Sequence, residues 1–205
     1  MGPRISDYFQ HLGELGGKTQ ASDRAGLAVA FDDAIGRAVA FALATKQHGT
    51  RVLFVGNGGS AAIASHMATD WLKNGGFAAS CFNDGVTLTC LGNDLGYDQV
   101  FAVQIERHGR AGDLFFAISS SGKSRNILNA AAAARRAGAT VVTLSGFSDD
   151  NPLRHMGDLN FWMPDRHYGF VEIGHLAICH AVLDISMGWR RVGDLPVTTE
   201  AAAPA

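Results

Sequence analysis

Four polar residues are spaced so that they could meet at one cation. His66 and Asp70 lie four apart in a helical pattern and therefore share a helix face. Glu172 and His180 offer the same side-chain types on the last helical pattern of the chain. Imidazole and carboxylate suit a zinc ion. By itself, a His–Asp pair at this spacing is more often an ordinary hydrogen-bonded pair. A separation of eight residues puts the Glu172 and His180 Cα atoms roughly 12 Å apart on a helix. Both reach one metal only if each leans toward the other, and His175 competes with Glu172 as a ligand, although a histidine on so apolar a helix is more often packed.

Two loops suggest a second chemistry. Gly56-Asn57-Gly58-Gly59-Ser60 follows the apolar run Val52-Leu53-Phe54-Val55 and opens a helical pattern. Glycines there let backbone approach an anion, which the helix N-terminus also favours. A tight strand-to-helix turn capped by Ser60 would look the same. The loop fits neither of the usual nucleotide fingerprints. Ser119-Ser120-Ser121-Gly122-Lys123-Ser124 follows a second apolar run in the same way. Its four hydroxyls, backbone N–H groups and one cation suit a phosphate monoester, which needs many donors converging on three oxygens. A turn with a cap explains one or two serines and leaves the others without a role. Asn93 and Asp94, in Gly92-Asn93-Asp94, could add to that site, or Asp94 could merely cap a helix.

Behind these loops, residues 52–55 are continuously apolar, as strands buried on both faces are, 114–118 reads as a second such strand, and the largely apolar runs 141–144 and 159–163 read as a third and fourth. Helical patterns over 60–74, 124–137 and 169–187 separate or follow them. Such alternation predicts an α/β fold: a three-layer sandwich with a doubly wound, mostly parallel central sheet. Residues 5–48 read as helix, with Ser22 as an N-cap and Leu27, Val29, Ile35, Val39 and Leu43 on an apolar face. This N-terminal helical preface is expected to pack on the domain or on a neighbouring subunit. Residues 1–195 are expected to form one domain and 196–205 a flexible tail.

Taken together, GNGGSAAIASHMATD, CLGNDLGYDQVF, GDLFFAISSSGKSRNIL and EIGHLAICH resemble the sugar isomerase (SIS) fold, and more narrowly the phosphoheptose isomerase family. The resemblance runs to about Met187. It implies a flavodoxin-like sheet and conversion of sedoheptulose 7-phosphate to a heptose 7-phosphate through an enediol; the alternatives on the same fold are isomerisation of a different phosphosugar, or a non-catalytic sugar-phosphate sensor or replication-initiator adaptor. It also implies one zinc per subunit on His66, Asp70, Glu172 and His180, with Asp70 and His180 in the acid/base roles. Asn57, Gly58, Gly59, Ser60, Asn93, Asp94, Ser119, Ser120, Ser121, Ser124 and Glu172 would hold the phosphosugar. A homotetramer with sites at subunit interfaces is implied as well. The chain departs from the family at several of these positions: Asp70 stands for Glu, Glu172 for Gln, Gly169 for an acidic residue, Asn74 for Arg and Lys123 for a frequent Asn.

Composition agrees with a small-metabolite enzyme. The 205 residues carry 17 Lys+Arg against 19 Asp+Glu, a net charge of −2, with 47% hydrophobic residues. A nucleic-acid binder would be distinctly basic, so no nucleic-acid partner is expected. No uninterrupted apolar run approaches the roughly 18 residues of a membrane span, and MGPRISDYFQHL has no secretory core, so a cytoplasmic protein is expected. Cys81, Cys90 and Cys179 form no metal-like pairing and read as reduced thiols. The 25 glycines cluster in part at strand-to-helix turns, where a side chain is expected to obstruct a bound sugar phosphate.

Overall fold

The computed structural model describes residues 4–189; the expected tail at 196–205 lies outside them. The first half of the chain forms α1 (Ile5–Lys18), β1 (Gln20–Asp23), β2 (Ala28–Val29), α2 (Phe31–His48), β3 (Arg51–Gly56), α3 (Gly59–Lys73), β4 (Ala78–Cys81) and α4 (Gly85–Leu95). The second half forms α5 (Ala102–His108), β5 (Leu114–Ser119), α6 (Arg125–Arg136), β6 (Thr140–Ser145), a short 3-10 helix, β7 (Leu159–Trp162) and α7 (Tyr168–Ser186).

One sheet of seven strands runs in the order β2-β1-β7-β6-β5-β3-β4. The five strands from β3 onward run parallel to one another, while β1 pairs antiparallel with both β7 and β2. The predicted buried strands are central because their side chains alternate between two covered faces. Val52, Phe54 and Phe116 enter a core shared with α1, α2, α3 and α7, whereas Leu53, Val55 and Phe115 enter one shared with α5 and α6. The expected three-layer α/β sandwich is therefore the observed architecture.

The helical preface needs correction. A β-hairpin interrupts residues 5–48, and Ser22 lies in β1 opposite Asn160 instead of capping a helix. The Asp23 side chain accepts the N–H groups of Ala25 and Leu27, each at 2.9 Å, and Gly26 adopts φ 82° to close the turn. Pairing with β7 buries Ala21, a tertiary gain that local helix pattern cannot register. Strand β4 also escapes the sequence reading, because AASC has little β-propensity and lies half-buried at the sheet edge. Helices α4 and α5 went unseen too. The former has no fully buried residue; Asp84 caps it by accepting the Thr87 N–H at 2.8 Å.

Helix α7 is long and apolar enough, by length and composition, to cross a membrane. Its Phe170, Val171, Ile178, Cys179, Val182 and Leu183 side chains instead complete the core on one face of the sheet.

Candidate functional site

Strand β3 is followed in sequence by β4 on one side of it, and β5 by β6 on the other, so the winding reverses between β3 and β5. Ligands of open α/β sheets sit at that reversal, beyond the carboxyl ends of the strands. The loops emerging there are GNGGS and SSSGKS.

They enclose a cavity of about 240 Å³. Asn57, Gly58, Gly59 and Ser60 wall it from the first loop, Ser119, Ser120, Ser121 and Ser124 from the second, and Tyr168 and Glu172 from the start of α7. Ser60, Ser119 and Ser120 are buried, and the Ser120 hydroxyl has no hydrogen-bond partner within the protein. A buried hydroxyl without a partner is costly unless a ligand completes it. The Ser119 and Ser124 hydroxyls lie 3.4 Å apart, and the backbone N–H of Lys123 donates to Ser121 Oγ at 3.2 Å. Lys123 itself is exposed, its Nζ 4.0 Å from Asp150.

Two of the loop glycines make room for neighbouring protein. A Cβ on Gly59 would overlap the Glu172 carboxylate, and one on Gly122, whose φ is +62°, would overlap the buried Asn151 side chain. At both positions the absent side chain lets protein meet protein.

A second group of side chains stands apart from the serine pocket. Helices α3 and α7 pack side by side and bring His66, Asp70 and His180 together. One potential ligand atom from each lies within 4.8 Å of the others. His66 Nε2 is 3.4 Å from Asp70 Oδ2, and the two imidazole rings are 5.4 Å apart between centroids. His66 is exposed and the other two are half-buried, so an ion can enter from solvent. Two imidazoles and a carboxylate are a donor set that zinc accepts.

Glu172, expected as a fourth ligand, is not in this cluster; its carboxylate lies against Gly59 in the serine pocket. His175 is fully buried and faces the sheet, where its Nε2 meets the Ser145 carbonyl oxygen at 3.0 Å. Burial holds its pKa down at about 4, so it is a neutral packing residue and does not compete for the ion. Asn93 and Asp94 do not wall the cavity. Both are exposed on α4, where the Asn93 amide donates to Asp94 at 2.8 Å. Helix α4 takes its cap from Asp84, so Asp94 does not perform that role either. Lys73 and Asn74 are exposed at the end of α3, and Gly169 has the Tyr8 hydroxyl beside it.

Tyr168 was missed. An aromatic residue at a helix start carries no distinguishing sequence signal, and only the fold brings it to the cavity wall.

The SIS-domain family model matches residues 26–146. A phosphoheptose isomerase of Sulfurimonas denitrificans is 38% identical over 141 residues, covering 66% of this chain and 72% of that protein. The chain belongs to the SIS family, in its phosphoheptose isomerase branch. A phosphoheptose isomerase of Chlorobium phaeovibrioides is 40% identical over 152 residues, 69% of this chain and 70% of the relative. Among solved structures, phosphoheptose isomerase from Neisseria gonorrhoeae superposes with a TM-score of 0.78 at 28% identity, covering 91% of this chain and 98% of that one.

Proposed function

We propose that the chain is a zinc-assisted phosphosugar isomerase converting sedoheptulose 7-phosphate to D-glycero-D-manno-heptose 7-phosphate. The observation that carries this reading is the pairing of two sites. A pocket of hydroxyl donors with an unpartnered Ser120 hydroxyl stands at one end of α7, and a His/Asp/His cluster at His180 lies further along it. Between Glu172 in the first and His180 in the second, α7 rises roughly 12 Å. An extended seven-carbon phosphate ester spans roughly 10 Å from phosphorus to its carbonyl end by ordinary bond lengths. A phosphate held by the serines therefore leaves the carbonyl end near the cluster.

His66, Asp70 and His180 would hold the zinc ion. When bound, it would polarise the substrate's carbonyl and hydroxyl oxygens. Asp70 takes a proton from the carbon beside the ketone, and that proton returns to the former carbonyl carbon through the enediol. His180 exchanges protons with the two oxygens, so atoms and electrons balance within the substrate. Ser60, Ser119, Ser120, Ser121 and Ser124 donate to the phosphate, and Asn57 and Glu172 line the same pocket. Asn93 and Asp94 belong to this reading only through a neighbouring subunit.

Residues 1–195 are read as one SIS domain, supported by the N-terminal hairpin that extends the sheet and by Leu15 of α1 in the core. Family resemblance supports a cytoplasmic homotetramer with sites at subunit interfaces, and the exposed Ile173 and Ile185 on α7 suit such contacts.

A panel of phosphosugars assayed for aldose–ketose exchange, with metal analysis of the same protein, tests the proposal. Turnover of sedoheptulose 7-phosphate, stoichiometric zinc, and loss of both in His66→Ala and His180→Ala are expected. Absence of zinc with turnover unaffected by chelator overturns the metal assignment; preference for another phosphosugar overturns the substrate.

A further inference from the structure

The two phosphate loops are tied together by a chain of amides that the reading above leaves without a role. Asn126 lies in the first turn of α6, just past the serine loop, and is 3% exposed. Its side chain forms a reciprocal pair with Asn57 of the GNGGS loop: each amide nitrogen donates to the other's oxygen at 2.9 Å. The pair bridges the line between β3 and β5 where the winding reverses. Tyr97, from the GNDLGYD stretch, reaches over from outside and donates its hydroxyl to Asn57 Oδ1 at 3.1 Å.

These contacts determine which way the Asn57 amide faces. The backbone N–H of Ile127 donates to Asn126 Oδ1 at 3.0 Å, so that oxygen cannot exchange places with its nitrogen without losing a bond in a buried position. With Asn126 oriented, Asn57 must offer Nδ2 to Asn126 Oδ1 and Oδ1 to Asn126 Nδ2. The Asn57 oxygen then accepts twice, from Asn126 and from Tyr97, which uses both of its lone pairs. What remains of the amide is a single N–H, and Asn57 lines the cavity.

We infer that Asn126 and Tyr97 are positioning residues that turn Asn57 into a pure hydrogen-bond donor toward the anionic substrate. The same contacts clamp the GNGGS loop at a set distance from the serine loop. Asn57 with free rotation would offer an acceptor as readily as a donor, and an acceptor beside phosphate oxygens repels. This inference rests on the reading of the pocket as a phosphosugar site. It also gives the GNDLGYD motif a function within the same chain, through Tyr97, although Asn93 and Asp94 lie outside the cavity.

The test uses inorganic phosphate as the probe and reads its half-saturating concentration from the concentration dependence of thermal stabilisation. The full chain is compared with Asn57→Ala, Asn126→Ala, Tyr97→Phe and the Asn57→Ala/Asn126→Ala double variant. Asn126→Ala is expected to weaken phosphate about tenfold and Tyr97→Phe about threefold, the range for one lost hydrogen bond. The double variant should be no weaker than Asn57→Ala alone, because Asn126 acts only through Asn57. Unchanged half-saturation in Asn126→Ala, even with lowered melting temperature, reduces the residue to a structural role and overturns the inference. Further weakening in the double variant overturns the route through Asn57. Should Asn126→Ala fail to fold, Tyr97→Phe decides, since Tyr97 is exposed and its loss leaves the core intact. A wild-type chain indifferent to phosphate overturns the anion-site reading and this inference with it.

Discussion

The Glu172 carboxylate packs against Gly59 at the first turn of α3, not against His180 two turns further along its own helix. A negative charge therefore sits in the wall of a pocket whose hydroxyls are arranged for an anion. Like charges at such range oppose each other even when screened. Glu172→Gln is expected to lower the half-saturating phosphate concentration several-fold at low salt, less at high salt, with zinc content unchanged. Isothermal titration with phosphate and metal analysis of the same sample check both halves.

Ser120 carries the opposite expectation. Its hydroxyl is buried without a partner, so Ser120→Ala removes an unsatisfied group and should leave the melting temperature unchanged or slightly raised. Phosphate affinity should fall roughly tenfold, the worth of a hydrogen bond to a charged acceptor. A variant that loses stability and binds phosphate normally would mean the hydroxyl serves the fold.

Gly122→Ala should destabilise the chain by about 3 kcal/mol, combining the strain of a left-handed backbone with overlap on Asn151. Asn151 cannot retreat freely, because its amide donates to the Ser145 hydroxyl and to the carbonyl oxygens of Gly146 and Ser148. Urea unfolding at neutral pH measures the loss.

His175 makes the fold sensitive to acid. Burial holds its folded pKa at about 4, against 6.5 for the ordinary imidazole, so the unfolded chain binds a proton first as pH falls. The stability associated with the neutral ring is fully present above about pH 6.5 and declines as pH drops toward 4, by about 3 kcal/mol in all. His175→Gln should show a shallower decline of the urea midpoint between those pH values than wild type. Parallel curves would assign the acid sensitivity to other groups.

Much of this architecture was legible in the residues themselves. The runs at 52–55, 114–118 and 141–144 read as doubly covered strands, since they are short, apolar and without a regular polar side. The serine loop announced an anion site because four hydroxyls exceed what a turn requires. His66 and Asp70 had to share a face because helix geometry places them there.

Other features depended on partners distant in sequence. The hairpin at 20–29 exists because β7 offers an edge to pair with, and AASC is a strand only because β3 lies beside it. Spacing left Glu172 and His175 both open as ligands. Packing assigned one to the serine pocket and the other to the core, and it joined Asn57 to Asn126 across 69 positions. Local pattern determines what an element is and which residues share its face. Which of two faces meets which neighbour is decided by how the layers bury their apolar surface together, and no single segment contains that information.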